Sequence, residues 1–189
     1  MPGSDHQLTR LARAAAAGDT DALSELVQAT QADVWRFIAH LTGRDLADDL
    51  TQETYLRALR SLPTFRHRAP VRVWLLAIAR RVVATHFDQA AREHRRRQRA
   101  AAQPAEPPGG DPAEALALCD LLAILDLPRR DAFVLTQVLG LSYADAATVC
   151  GCPIGTIRSR VARTRDELIA GYAADDAHGL EKRTRRQPT

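Results

Sequence analysis

The stretch GTIRSRVARTR (155–165) combines arginine, serine and small residues at helical spacing. At about 100° per residue, Ile157, Val161, Thr164 and Leu168 share one side of a helix. That side is expected to pack inward. Ser159, Ala162, Arg163 and Asp166 then face outward, flanked by Arg158 and Thr156. Arginine offers a fork of donors that matches guanine O6 and N7, serine and threonine reach phosphates or base edges, and a small residue lets a helix sit deep in a groove. A solvated amphipathic helix also turns arginines outward, so the face alone does not decide. The flanking segment does: Ser142 can cap a short helix carrying Tyr143, Ala146, Ala147 and Cys150 on one stripe, Gly151 breaks it, and Pro153 opens the next helix. Helix, tight turn and second helix is the order of a helix-turn-helix.

Other residue types that could do chemistry fall short of a catalytic pattern. His40, His86 and His94 have no cysteine or serine in a nucleophile setting, and no phosphate-cradling glycine loop is present. No catalysis and no cofactor are expected. Asp45, Asp48, Asp49 and Glu53 could in principle gather oxygens around a hard cation, but acids at a helix start more commonly serve the macrodipole. Of Cys119, Cys150 and Cys152, the last two form VCGC without a third and fourth ligand, a poor zinc site. They read as small buried residues near a turn, with redox sensing the alternative.

Of 189 residues, 46% are apolar and 26% charged, with 25 Arg and one Lys among the 26 bases. A coding bias toward Arg gives the same count as selection for phosphate contacts, so the count alone is neutral. The distribution is more telling. The net charge of +3 averages blocks of −4 (1–57), +9 (58–99), −5 (100–157), +2 (158–170) and +1 (171–189). Two separate basic segments suggest two contacts with a polyanion, leaving acidic surfaces for something else. No apolar run approaches the roughly 18 residues of a membrane span. The opening MPGSDHQLTR lacks an apolar core, so no secretion signal is expected and the chain is placed in the cytoplasm.

Apolar periodicity predicts an all-α chain. Helices are expected over 8–17, from a cap at Asp19 or Thr20 to Gly43, from a cap at Asp45 to before Pro63, and over 73–91, the last with the broadest apolar face. Residues 92–112, five Arg then AAQPAEPPGGDP, read as a flexible linker. Four further segments follow: 113–126, 129–139, the helix capped by Ser142, and the helix after Pro153. This divides the chain into two small helical domains, 1–91 and 113–172, with a disordered tail over 173–189. The lobes are expected to be hinged rather than enclosed by one core.

In this order, three stretches resemble the extracytoplasmic-function (group IV) sigma factors of the sigma-70 family, and among them the actinobacterial sigma-C-like members. DLADDLTQETYLRALRSLPTF (45–65) looks like region 2.2 entering 2.3. VWLLAIARRVVATHFDQAAR (73–92) looks like region 2.4, and LGLSYADAATVCGCPIGTIRSRVARTRDEL (139–168) like region 4.2. DLTQETYLRA and GTIRSRVARTR together are highly specific.

The resemblance implies a sigma2-like four-helix bundle and a sigma4-like helix-turn-helix domain that direct core RNA polymerase, through its beta and beta-prime subunits, to promoter DNA. Asp49, Leu50, Gln52 and Glu53 would dock on the coiled coil of the largest subunit. Phe65, Arg66 and Arg72, with Arg81 and Thr85, would meet the −10 element. Thr156, Arg158, Ser159, Ala162 and Arg163 would meet the −35 element. Arg81 stands where many relatives have Asn, and Ala162 replaces a larger residue of some. Trp74 reads as core rather than as a melting wedge. The free chain is expected to be a monomer, and an anti-sigma partner is usual in the family. The rival reading is a stand-alone helix-turn-helix regulator, which would need a dimer interface and a sensor domain.

Overall fold

Capping residues decide where the chain turns into helix. The Asp19 carboxylate accepts the backbone N–H groups of Asp21 (3.0 Å) and Ala22 (2.9 Å), so Asp19 rather than Thr20 starts the second helix. Gly43, at φ 85°, ends it by donating its N–H to Ala39. Asp45 does not cap the third helix. Leu46 occupies that position without a side-chain bond, because backbone bonds from Ala47 to Arg44 and from Leu50 to Leu46 close the turn.

The computed structural model describes residues 2–100 and 126–184, and the described residues are all helix, turn and loop. The helices are α1 (Pro2–Ala16), α2 (Thr20–Thr42), α3 (Ala47–Ser61), α4 (Val71–Ala100), α5 (Leu127–Phe133), α6 (Tyr143–Cys150) and α7 (Ile154–Thr184). A 3-10 turn (Leu62–Thr64) follows α3, and a π-helical turn (Val134–Val138) extends α5. Three spans differ from expectation. The arginine-rich residues 92–100, expected in the linker, continue α4: Arg, Glu, Gln and Ala are strong helix formers, and Glu93 pairs with Arg97 one turn on. Residues 173–184, expected as tail, continue α7. The segment expected over 129–139 starts two residues earlier, behind an Asp126 cap, and unwinds to π geometry where Leu139 N–H bonds the Val134 carbonyl. The remainder of the expected linker and the helix expected over 113–126 lie outside the described residues.

Helix α4 is the organising element. Val71, Val73, Leu75, Leu76, Ala79, Val82 and Val83 are all buried, and these positions run around most of its circumference. One side packs on α1, α2 and α3 against Leu26, Val34, Phe37, Ile38 and Leu41; another packs on α6. The buried residues of both halves, including Leu135, Val149, Ile157 and Val161, therefore form one continuous cluster. The two lobes, expected to be hinged, share one cluster in this closed arrangement: an apolar surface too broad for one bundle is covered by the second.

Phe37 is fully buried at the centre of the first half. Phe37→Ala is expected to cost about 3–5 kcal/mol, measured by denaturant unfolding. A loss below about 1 kcal/mol would contradict the packing described.

Candidate functional site

The helix-turn-helix is built by local chemistry. Ser142 Oγ accepts the Asp145 N–H (3.1 Å) and donates to the Asp145 carboxylate (2.7 Å) at the start of α6. Gly151 takes the left-handed conformation (φ 63°) that lets α6 turn into α7. Ile157, Val161 and Thr164 are buried and Leu168 half-buried, which anchors α7. Arg158, Ser159, Ala162, Arg163 and Asp166 are exposed together on the opposite side, and Thr156 is half-buried at the edge. Two links brace the helix: Arg129 to Glu167 and Arg165 to Gln137, both at 2.5 Å.

The residues expected at the −10 element are divided in this conformation. Arg66 and Arg81 are exposed and Thr85 is half-buried, its hydroxyl donating to the Arg81 carbonyl. Phe65 is stacked on Trp74 (ring centroids 4.4 Å apart, planes 22° apart) with His67 tilted against it at 4.6 Å. Trp74 is half-buried against the core. Arg72 is held at both ends of its guanidinium: Nε donates to Asp33 (2.6 Å) and Nη2 to the Leu139 carbonyl (2.8 Å).

A third feature is a groove of about 340 Å³ between α2 and α3, lined by Val27, Gln31, Trp35, Asp48, Thr51, Gln52, Tyr55, Leu56 and Leu59. Trp35 Nε1 donates to Asp48 at 2.7 Å, and the Tyr55 hydroxyl shares a 2.7 Å bond with Thr30. Burial pushes the Tyr55 phenol up, against the pull of that bond. Leu56 and Leu59 remain 43% and 38% exposed, an unusual state for two leucines one turn apart. Asp48, Asp49 and Gln52 are exposed beside them, and Glu53 is half-buried and paired with Arg57. Leu50 is the exception among the expected docking residues. It is buried in the core, because it lies on the inner side of α3 with Ala47 and Thr54.

Where α4 meets the second half, the seam is charged. Arg80 Nε donates to Asp131 at 2.5 Å, and the Asp131 side chain is only 1% exposed. Burial raises the Asp131 carboxyl above its ordinary range, and the Arg80 charge only partly opposes this. Burial also works against the charged Arg80, but the Asp131 charge and hydrogen bond outweigh it and raise that group. Arg130 adds a bond to the Leu41 carbonyl (2.8 Å). Cys150 lies beside this pair. Burial, reinforced by the Asp131 charge, pushes its thiol up to about 12. Cys152 is half-buried, with Arg160 Nη1 3.8 Å from its sulfur.

The family model described as Sigma-70 region 2 matches residues 8–99, and that of Sigma-70 region 4 matches residues 115–168. The chain is 49% identical over 180 residues to the "ECF RNA polymerase sigma factor SigC" of Mycobacterium tuberculosis, covering 93% of this chain and 96% of that one. It belongs to the ECF sigma factors. The similarity extends to EcfG of Rhodopseudomonas palustris (36% identity, 84% of this chain and 89% of that one). Among solved structures, the chain is similar to the sigma factor RpoE bound to the anti-sigma factor NepR from Bartonella quintana. There the TM-score is 0.63 at 30% identity, over 77% of this chain and 93% of that chain. It is also similar to CnrH in complex with the cytosolic domain of CnrY (TM-score 0.66, 27% identity, 87% and 96% covered).

Among the described residues of this sigma factor, no helix is long and apolar enough to cross a membrane, and no group of three or more His, Cys, Asp or Glu side chains is placed to share a metal ion. The seam and groove partners Asp33, Trp35, Arg80 and Asp131 were absent from the sequence-based set of site residues. Nothing in the local sequence links Asp131 to Arg80 across 51 positions.

The thiols give a direct check on the seam. At pH 8 a thiol titrating near 12 is about one part in ten thousand thiolate, and the thiolate is the reactive form. Iodoacetamide at that pH is expected to alkylate Cys152 well before Cys150, read by peptide mass spectrometry. Equal rates would mean that Cys150 is not enclosed as described.

Proposed function

We propose that this ECF sigma factor brings core RNA polymerase to promoters by reading the −35 element with α7 and the −10 element with α4 and the loop before it, without catalysis of its own. The observation that carries this is the outward face of α7. It presents Arg158, Ser159 and Arg163 together, above a buried stripe and behind a Gly turn. The relatives' descriptions as RNA polymerase sigma factors support the same activity. They favour it over a stand-alone regulator, which would act without polymerase. Action on polymerase implies the cytoplasm as the site of work, and the solved sigma factor–NepR complex supports an anti-sigma protein as a further class of partner.

The α2/α3 groove is the surface offered to polymerase. Exposed Leu56 and Leu59 supply apolar area, Asp48 and Gln52 line the groove beside them, and Asp49 and Glu53 add acidic groups on the adjoining side of α3. That combination suits a basic amphipathic helix or coiled coil, as the family resemblance implies for the beta-prime subunit. Leu50 supports this surface from beneath.

Promoter binding requires the seam to open. The −35 and −10 elements lie about 25 base pairs apart, which at 3.4 Å per step is about 85 Å. In the closed arrangement the second half touches the −10-facing helix directly, with Arg72 bonded to Leu139. The two halves, about 1–91 and 113–172, therefore act as separable domains joined by the intervening segment. Charged groups at the seam fit this: a contact built for release is more polar than a permanent core.

Arg163→Ala is expected to relax selectivity at one base of the −35 element, costing about 1–3 kcal/mol of discrimination, in transcription from a promoter library by reconstituted holoenzyme. An unchanged preference would remove Arg163 from the reading face. Glu53→Lys reverses charge beside the groove and replaces the Arg57 ion pair by a like-charge pair, a total cost of about 0.4–1 kcal/mol. The fold should persist by circular dichroism while co-purification with core polymerase falls. Normal co-purification would contradict the docking assignment.

A further inference from the structure

We propose that Asp33, on α2, is a positioning residue for −10 recognition: it fixes the Arg72 guanidinium so that Nη2 points at an acceptor, and this acceptor is the Leu139 carbonyl in the closed form and a promoter oxygen or nitrogen in the open one. The inference rests on the proposed promoter reading and extends it to a residue outside the basic segments.

The geometry singles out this pair. Arg72 opens α4 at the mouth of the basic loop, where its side chain is 29% exposed. Its Nε is taken by Asp33 Oδ2 at 2.6 Å. Asp33 Oδ1 is held in turn by Arg36 at 2.5 Å, so the carboxylate is fixed from both sides and is itself 22% exposed. A guanidinium is planar, so fixing Nε fixes the direction of the terminal nitrogens as well. Arg72 Nη2 then donates to a backbone carbonyl of the other half at 2.8 Å. A carbonyl oxygen is an acceptor of the same kind as a base carbonyl or a phosphate oxygen. The closed structure thus shows Arg72 already aimed, with a protein oxygen where a nucleic-acid acceptor would sit.

Asp33 lies within the −4 block of the sequence, 39 residues before Arg72. A carboxylate near a nucleic-acid surface would ordinarily repel it. Here the two arginines neutralise that charge, and the gain is orientation. An unrestrained arginine gives up rotamer freedom when it binds, and part of that loss is already taken when the side chain is pre-set.

The test uses holoenzyme reconstituted from the full chain and core RNA polymerase, with every single-base variant of the −10 element scored by run-off transcription. Arg72→Ala and Asp33→Asn should flatten the preference at the same −10 position, by about fivefold or more, and leave −35 selectivity unchanged. The double variant should be no flatter than Arg72→Ala, and Asp33→Glu should restore part of the preference. Thermal unfolding of Asp33→Asn, followed by circular dichroism, separates loss of aim from loss of fold. If Arg72→Ala flattens a position that Asp33→Asn leaves untouched, the inference is overturned while the promoter reading stands. If Arg72→Ala leaves every −10 preference unchanged, Arg72 is no promoter contact and both statements about it fall.

Discussion

Burial of α4 is the constraint on which the rest of the structure depends. A helix with valines and leucines at 71, 73, 75, 76, 82 and 83 cannot satisfy them against one neighbour. The first three helices cover one side, and the helix-turn-helix half covers another. The same helix carries Arg72 and Arg81, proposed to contact promoter DNA, together with Arg80, and its packing decides which of these arginines reach solvent. Arg81 does, Arg80 faces a buried carboxylate, and Arg72 is divided between the two halves.

The energetics of that seam are mixed rather than uniformly favourable. Apolar burial by Val149 and Leu139 against α4 contributes at about 25 cal/mol per Å². The Arg80–Asp131 pair contributes less than its short distance suggests. Taking a carboxylate to 1% exposure costs several kcal/mol, and the attraction of Arg80 must offset that cost first. The raised Asp131 carboxyl records the same imbalance. Loss of either partner alone would leave an uncompensated charge, but separation of both into water restores their hydration. Such a contact is stiff against single changes and tolerant of concerted opening, which suits the proposed separation of the two halves on promoter DNA.

Much of this was legible in the sequence, for reasons that can be located. The inward stripe Ile157, Val161, Thr164 and the outward set Arg158, Ser159, Ala162, Arg163 follow from helical geometry alone, and the structure has the same two faces. Ser142 and Gly151 were readable because capping and left-handed turns depend on one or two residues. Asp45 misled because a good capping residue sat one position from where backbone bonds closed the turn. Leu50 misled because a motif marks a segment, not which side of the helix each member faces. Contacts between distant residues, such as Arg80 with Asp131 or Trp35 with Asp48, were not legible at all. Neither partner carries a local sign of the other, and only the packing of α4 and of α2 on α3 brings them together.

The Phe65–Trp74 stack has a consequence of its own. Two aromatic rings lying face to face are held by the same forces that hold neighbouring nucleobases in a duplex. If an unpaired base enters beside Phe65, it exchanges one such partnership for another, and the net gain from ring contact is small. Choice among the four bases would then come from the polar edges that the surrounding arginines can reach, while the rings act as an even-handed cushion that admits whichever base the strand delivers.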